Sequence, residues 1–193
     1  NPTVSALEAC LGELEDAPDH EAGASVRQSA KGDLVIEARD NAAYKLVNQL
    51  LAKGVKVSRA LEATAGPGQS IKPGDFIVDN AGLAALQGLA AGSGVGASEL
   101  PAGVAPPKRA ALRAPRVGLY KSWTASMDEG WTRLVLDRYE FKYTSLDNAA
   151  MKQKNLKARY DVIVLPDVDK SLIVDGRQKS EDGGYFEPLP PAY

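Results

Sequence analysis

A polar cluster at residues 121–131 holds the residue types best suited to ligand binding in this chain. It reads Lys-Ser-Trp-Thr-Ala-Ser-Met-Asp-Glu-Gly-Trp, so ammonium, carboxylate, hydroxyl and indole groups lie close together. Free amides at a helix start can bind anions, and indole rings can stack on a ligand. The cluster predicts a ligand site or a domain-docking surface. A structural role is the alternative, with Asp128 and Glu129 as the charge pair of a helix start and Trp131 as a core residue. The candidate binding residues are Lys121, Ser122, Trp123, Asp128, Glu129 and, farther along the chain, Asp167.

The chain has too few histidine and cysteine residues to form the commonest hydrolytic sites. His20 is the only histidine and Cys10 the only cysteine, whereas a catalytic zinc ion normally takes three protein ligands, usually including two His or His with Cys. A Ser-His-Asp triad would need the same His20, and the chain has no Gly-x-Ser-x-Gly elbow. We therefore predict no catalytic residue and no metal ligand here. His20 is expected to be solvated, and Cys10 to be a small core residue.

Two glycine-rich segments, residues 66–70 and 92–96, invite a phosphate-loop interpretation. The first lacks the Gly-Lys-Ser/Thr ending, and its Pro67 removes an amide donor. Neither segment leads into a helix whose N-terminus could bind a phosphate. Both are predicted to be loops.

Composition places the chain among ordinary globular proteins. Hydrophobic residues make up 44% and charged residues 25%. The formal net charge of -2 does not indicate the excess of basic residues that nucleic-acid-binding proteins usually carry. No apolar run of about 18 residues is present, so we predict no membrane span. The first residue is Asn1 rather than Met, which suggests a processed, trimmed or excerpted chain. The start of the sequence shows no basic-then-apolar leader, and a removed signal peptide would leave the same start.

Residues 1–100 are predicted to form a small α/β unit. Strand, helix and strand follow one another with tight joins, which favours a βαβ unit with a parallel strand pair. Asp40 and Asn41 can cap the helix, and Gly54 suits the left-handed position after its end. The predicted elements are an amphipathic helix at 3–14, a strand at 34–38, the capped helix, strands at 55–60 and 75–78, and a weak helix at 83–91.

Residues 101–115 hold four prolines and no apolar period, and we interpret them as a linker. Residues 116–193 then begin a β-α-β-α-β series. Asp128 is expected to cap a helix with Trp131, Leu134, Val135 and Tyr139 on one face. The other predicted elements are strands at 116–120, 141–146 and 161–165 and a short helix at 147–154.

The series is typical of a doubly wound, flavodoxin-like α/β fold with a parallel sheet and flanking helices. Such a sheet normally continues past its third strand, so we expect the domain to be incomplete at the C-terminus, with further strands beyond residue 193. Open α/β sheets bind ligands at the carboxyl ends of their strands. The loop at Pro166 and Asp167 is therefore expected to face the same crevice as the cluster.

Three motifs carry a family resemblance. They are the run Val-Gly-Leu-Tyr-Lys-Ser-Trp-Thr-Ala-Ser-Met-Asp-Glu-Gly-Trp-Thr-Arg from Val117, Tyr-Glu-Phe from Tyr139, and Tyr-Asp-Val-Ile-Val-Leu-Pro-Asp from Tyr160. This region resembles the glutamine-amidotransferase-like domain attached C-terminally to a subset of bacterial zinc carboxypeptidases of the carboxypeptidase A type. Residues 41–55 are similar to the region between peptidase and accessory domain in those proteins. Together the resemblance covers about two thirds of the chain.

The resemblance implies a non-catalytic accessory region of a bacterial zinc-carboxypeptidase-like protein in the periplasm or outside the cell. The family's peptidase domain binds zinc through a His-x-x-Glu pair and a distant His, with a later Glu as general base, and none of these maps onto this chain. Zinc is therefore expected only in a peptidase domain outside it. Class I amidotransferases use a Cys nucleophile on a later elbow, whereas Cys10 lies upstream of the sheet. "Amidotransferase-like" is thus a statement about the fold.

The expected partners are a covalently linked or docked peptidase domain and its peptide substrate, while the sequence predicts no particular oligomeric state. One alternative function is a stand-alone small-ligand-binding module that uses the crevice near Trp123 and Asp167. Another is an enzyme only in the full-length protein, with Asp128 or Glu129 completing a site.

Overall fold

The computed structural model describes residues 32–66, 69–100 and 105–174. The predictions for residues 3–14, Cys10 and His20 lie outside these ranges, as do those for residues 175–193. Within the described residues the chain forms a five-stranded sheet, a three-stranded sheet and a two-stranded hairpin, with helices along the sheets. The α/β class is therefore confirmed.

In the part of the first unit that the structure describes, there are seven short strands and two helices. The strands are β1 (Leu34–Ile36), β2 (Val57–Ala60), β3 (Thr64–Gly66), β4 (Gln69–Ile71), β5 (Phe76–Val78), β6 (Ser98–Glu99) and β7 (Arg109–Ala111). The helices are α1 (Asn41–Ala52) and α2 (Leu83–Ala90), the latter preceded by a 3₁₀ turn (Asn80–Gly82). The five-stranded sheet has the order β6-β1-β5-β2-β7, and every neighbouring pair is antiparallel.

The predicted parallel pairing of β1 with β2 is wrong. The two strands run in the same direction, but β5 lies between them and pairs antiparallel with both. Ile77 of β5 is the register partner of Val35 on one side and Ser58 on the other. All three β5 residues are buried, as expected for a central strand. The helical crossover from β1 to β2 thus spans one inserted strand, a split βαβ arrangement.

The side chains of β1 point alternately to the two faces of this sheet. Leu34 and Ile36 pack with α1 and α2, while Val35 packs on the opposite face with Ile71 of the β3–β4 hairpin. The sheet therefore separates a helical layer from the hairpin. The larger cluster of buried side chains, on the helical face, is Leu34, Ile36, Ala43, Leu46, Val47, Leu50, Val57, Phe76, Val78, Leu86, Ala90, Val95 and Ala97.

The ends of α1 partly follow the prediction. Gly54 adopts φ 75° directly after the C-cap residue, as its position after the helix predicts. Asp40 occupies the N-cap position, but its side chain makes no capping hydrogen bond.

Strand β7 lies inside the segment interpreted as a linker. It pairs with β2, and Arg109 forms an ion pair with Asp33 at 2.6 Å between Nη1 and Oδ2. All three residues of β7 are exposed, so no apolar period marks it in the sequence. An edge strand can pair through its backbone without such a period.

The described residues of the second unit, up to residue 174, form three strands and four helices. They are β8 (Val117–Tyr120), α3 (Met127–Arg138), β9 (Tyr143–Leu146), α4 (Asn148–Met151), α5 (Leu156–Arg159), β10 (Val162–Val164) and α6 (Lys170–Val174). The sheet has the order β10-β8-β9, and both pairs are parallel, as predicted. The sequence predicted one helix between β9 and β10, where there are two, and it did not predict α6.

Helix α3 departs from the prediction at its start and in its orientation. Its N-cap is Ser126, whose Oγ accepts a hydrogen bond from the Glu129 amide at 3.2 Å, so the expected cap at Asp128 is wrong. Trp131, Leu134 and Val135 lie on one face, as predicted, but their exposed fractions are 58%, 53% and 53%, so the alternative interpretation of Trp131 as a core residue is wrong. With Met127 they form an apolar stripe at helical spacing that points away from the sheet.

A polar network between α3 and β9 accounts for this orientation. Arg133 forms an ion pair with Glu129. Its guanidinium donates to the Tyr143 hydroxyl at 3.3 Å and to Ser145 Oγ at 3.2 Å. Tyr143 in turn donates to Asp137 at 3.2 Å. Because β9 presents Tyr143 and Ser145 to the helix, the polar side of α3 turns inward.

Asp161 connects the chain before β8 to the start of β10. Its carboxylate accepts two hydrogen bonds from Arg113, at 2.6 and 2.7 Å, and further ones from the Arg116 guanidinium and amide, both at 2.8 Å. The hydrogen bonds from Arg113, followed by those from Arg116, hold the pKa of Asp161 well below its usual range. The carboxylate therefore stays ionised in ordinary buffers.

Side chains of α1 contact the end of α3. Asn48 Nδ2 donates to the Tyr139 carbonyl at 2.8 Å, and Gln49 Nε2 donates to Glu140 Oε1 at 2.8 Å. Lys45 lies 3.6 Å from the same Glu140 carboxylate. These contacts are polar and few, so they join the two units without a shared apolar core. Among the described residues, none of the helices has the length and apolar character needed to cross a membrane.

Candidate functional site

A crevice lies where β8 and β10 end. Both strands are parallel, so their carboxyl ends, at Tyr120 and Val164, meet at one edge of the sheet. From central β8 the chain passes through α3 to β9 on one side, and from β9 through α4 and α5 to β10 on the other. The direction of winding thus reverses between β8 and β10. Such a switch point is where open α/β sheets bind ligands.

The loops after the two strands enclose a cavity of about 460 Å³ at this point. That volume lies within the range of about 300–1,000 Å³ seen for small-molecule sites. Most of the lining side chains are polar. The lining residues are Ser122, Thr124, Ala125, Ser126, Met127, Asp128, Asp167, Val168, Asp169, Lys170 and Leu172.

The side of the crevice next to β8 supplies hydroxyl and amide groups. Ser122 is buried, and its Oγ donates to the Thr124 carbonyl at 2.7 Å, which fixes the turn of the loop. Ser126 caps α3. The amides of Met127 and Asp128, at the start of the helix, precede its internal hydrogen bonds. This side therefore offers donors to a ligand with acceptor oxygens.

The side next to β10 supplies charge. Asp167, Asp169 and Lys170 follow this strand within six residues, and Asp128 of α3 adds a third carboxylate. Three carboxylates and one ammonium give the lining a net negative charge. A ligand here needs donors or a cationic group toward the carboxylates and acceptors toward the helix start. Small polar molecules with both kinds of group fit this lining.

The structure brings three of the six predicted site residues into the crevice: Ser122, Asp128 and Asp167. The side chain of Glu129 instead pairs with Arg133 on the sheet side of α3. Lys121 and Trp123 are in the same loop but do not line the cavity. The buried Ser122 and its hydrogen-bond partner Thr124 line the cavity, together with Ala125 and Ser126, which follow them.

The sequence interpretation missed Asp169, Lys170 and Leu172. All three lie in or just before α6, which the sequence did not predict. The signal that could have found them is their position directly after a buried-type strand, together with the charged pair Asp169-Lys170.

Ser122 is not paired with a general base among the described residues. Activation of a serine needs a general base within hydrogen-bond reach. The hydroxyl proton of Ser122 goes to a backbone carbonyl, and residues 32–66, 69–100 and 105–174 include no histidine. In the same part of the chain, no group of three or more His, Cys, Asp or Glu side chains is placed to hold a metal ion.

A buried pair beneath the loop fixes α4 against β8. The Tyr120 hydroxyl donates to Asn148 Oδ1 at 2.6 Å, and both side chains are buried. Burial raises the pKa of Tyr120, so the phenol stays protonated and keeps its donor. Tyr120 immediately precedes the loop of the crevice, and this bond therefore helps to hold the loop's starting point.

Comparison of the chain with protein-family models, curated proteins and solved structures gave no match. The resemblance to carboxypeptidase accessory domains therefore stays a prediction from the quoted motifs.

Proposed function

We propose that this chain is a non-catalytic accessory region of a bacterial, exported zinc-carboxypeptidase-like protein. Its role is to dock against the peptidase domain and to help position that domain or its peptide substrate. Zinc belongs to the peptidase domain, outside this chain. The observation that carries the proposal is the exposed apolar stripe of α3, which is a surface suited to a protein partner.

Four features support docking at the stripe. Met127, Trp131, Leu134 and Val135 are large apolar side chains, and each has more than half of its surface exposed. Contiguous apolar patches of this kind mark interaction sites. Tryptophan is enriched among the residues that dominate binding energy. The polar network with β9 fixes the helix from behind, so the stripe is presented on a held element.

Strand order supports the finer fold assignment within this proposal. The order β9-β8-β10 corresponds to strands 2-1-3 of a flavodoxin-like sheet. On this basis we assign residues 116–174 to the first half of a flavodoxin-like, amidotransferase-like domain.

Fluorescence of Trp131 tests the docking proposal. A Trp123→Phe variant keeps Trp131 as its only tryptophan. Titration with the peptidase domain of the full-length protein is expected to shift the emission to shorter wavelength in a saturable way, because the indole leaves water. Leu134→Ala in the same background removes about 1–2 kcal/mol of apolar burial and should weaken binding roughly five- to thirtyfold.

Leu61→Ala is the matched control, since Leu61 is also about half exposed but lies in the first unit. It should bind as tightly as the parent. Equal weakening by both substitutions, or no spectral shift, would contradict docking at the stripe. Zinc-dependent release of a C-terminal residue from a peptide by the purified chain would contradict the non-catalytic role.

A second candidate function is the binding of a small polar ligand, and the crevice at the switch point favours it. The cavity has a suitable volume, mixed donors and acceptors, and no nucleophile–base pair among the described residues. Free amino acids, short peptides, nucleotides and sugars all carry the required groups. This function is compatible with the docking role, because Met127 is the one stripe residue that lines the crevice, whereas Trp131, Leu134 and Val135 do not.

Trp123 reports on the crevice in a Trp131→Phe variant, because it lies in the loop after β8 and is 39% exposed. A saturable fluorescence change is expected with one of the four ligand classes. Asp169→Asn should then weaken binding about tenfold, as expected for a hydrogen bond to a charged group. Glu37→Gln, an exposed change in the first unit, is the control and should have no effect. Absence of any saturable change across the four classes would rule out this candidate.

A further inference from the structure

A second groove lies at the opposite edge of the parallel sheet, where the strands begin. It has a volume of about 520 Å³ and is formed by the residues that lead into β8 and β9 and those that precede β10. It is therefore separate from the crevice, which lies at the carboxyl ends of the same strands. Its charged lining residues are Arg116, Lys142 and Arg159.

The lining of this groove is cationic. Ala114, Pro115, Val117, Tyr143, Thr144 and Tyr160 complete it, and none of them is acidic. The chain as a whole carries a formal net charge of -2. Three cations around one groove are therefore a local excess of positive charge. Grooves lined by one sign of charge focus the field and concentrate ions of the opposite sign.

Two of the three cations are available to a ligand. Arg116 already donates to Asp161 and to the Ala158 carbonyl, so its donors are largely occupied. Lys142 makes no ion pair or hydrogen bond through its side chain with the residues that the structure describes. Arg159 donates to the neutral Gln153 and has no carboxylate partner among those residues. Neither the ammonium nor the guanidinium is paired with a carboxylate among the described residues.

Tyr160 orients the Arg159 guanidinium. The Arg159 carbon Cζ lies 5.4 Å from the centre of the Tyr160 ring, within the range of a cation–π contact. Tyr160 itself is buried, so the ring is a fixed platform. A guanidinium held in this way can present parallel N–H donors to a phosphate or carboxylate. The lysine adds a compact charge from the β9 side.

We propose that this groove is a binding site for small polyanions that carry phosphate or carboxylate groups, held by Arg159 and Lys142 with Arg116 as a supporting charge. The two open cations call for a ligand with at least two negative charges. Tyr160 positions Arg159, and the apolar residues at the start of β8 bound the groove. The site is independent of the crevice and of the stripe.

Isothermal titration calorimetry with inorganic pyrophosphate and with citrate tests this site and separates phosphate from carboxylate ligands. At low ionic strength, we expect at least one probe to bind with one-to-one stoichiometry. Added salt should weaken the binding, because the groove is open to solvent. A double variant, Lys142→Gln with Arg159→Gln, should lose about tenfold or more in affinity, because it removes two charge-assisted contacts.

The matched control is Lys53→Gln with Lys72→Gln, which makes the same charge change at exposed positions of the first unit, whereas the groove is lined by residues between 114 and 160. It should bind within about twofold of the parent, since distant surface charges are screened. Circular dichroism of both variants establishes that they are folded. Absence of saturable heat with both probes, or equal losses in the two double variants, would overturn the proposal.

Discussion

A Leu46→Ala variant is expected to lose about 2–5 kcal/mol of unfolding free energy, the range found when a buried leucine is truncated in a packed core. Leu46 is fully buried on α1 among β-strand residues such as Leu34 and Phe76 and the α2 residue Leu86. Truncation of the leucine side chain removes apolar surface from these contacts and leaves a cavity that the short strands cannot close. Urea unfolding followed by far-UV circular dichroism measures the loss.

Leu61→Ala makes the same chemical change at a half-exposed site and is expected to cost less than about 1 kcal/mol. Tryptophan fluorescence adds a second readout, because Trp123 and Trp131 both lie in the second unit. Only a few polar contacts join α1 to α3, so the fluorescence transition should shift less than the dichroism transition. Equal costs for the two leucine substitutions would show that Leu46 is not part of a packed core.

The sequence predicted the second unit better than the first. The order of strands and helices along that part of the chain leaves few possible topologies for a parallel sheet. Three strands joined by helices can form a parallel sheet with few topologies, and the order β10-β8-β9 is one of them. In the first unit, β1, α1 and β2 also follow in the expected order. Nothing local to these elements indicates that β5, from later in the chain, inserts between the two strands. Strand adjacency depends on long-range packing.

Helix α3 shows what the spacing of apolar residues can and cannot predict. The spacing of Trp131, Leu134 and Val135 correctly predicts one apolar face. It carries no information on whether that face meets the sheet. The side chains of β9 that approach the helix are Tyr143 and Ser145, which bind Arg133 and favour the polar side of α3. The orientation is therefore a property of the helix and strand together.

The residues that line the crevice could be predicted only in part. The rule that open sheets bind ligands at the carboxyl ends of their strands pointed to Ser122 and Asp167, and both residues line the cavity. Which other residues of the loop face the cavity depends on its turns, such as the one fixed by the hydrogen bond from Ser122 to Thr124, and the sequence does not indicate these turns. Lys121 and Trp123 lie in the same loop but outside the cavity lining, and their role in ligand binding stays a prediction.

A Gly118→Ala substitution is expected to destabilise the second unit by about 1–3 kcal/mol, the usual cost of overpacking a filled core. A Cβ at Gly118 would lie 2.5 Å from Leu146 Cδ1 and 3.4 Å from Tyr160 Cδ1. Leu146 is almost fully buried, so it has little room to move. Urea unfolding followed by tryptophan fluorescence measures the effect. Gly130→Ala is the control, because that helical glycine has no neighbour within 4 Å and should gain about 0.5–1 kcal/mol.

A double-mutant cycle with Leu146→Ala identifies the cause of the Gly118 effect. Leu146→Ala alone should cost about 2–5 kcal/mol through the cavity it leaves. The same cavity accepts the new methyl group at position 118, so the double variant should be more stable than the sum of the single effects predicts, by about 1 kcal/mol or more. Strict additivity would exclude the steric contact. Positive coupling would mean that Gly118 is required for the close approach of β8 and β9, and it is central β8 that leads directly into the crevice loop.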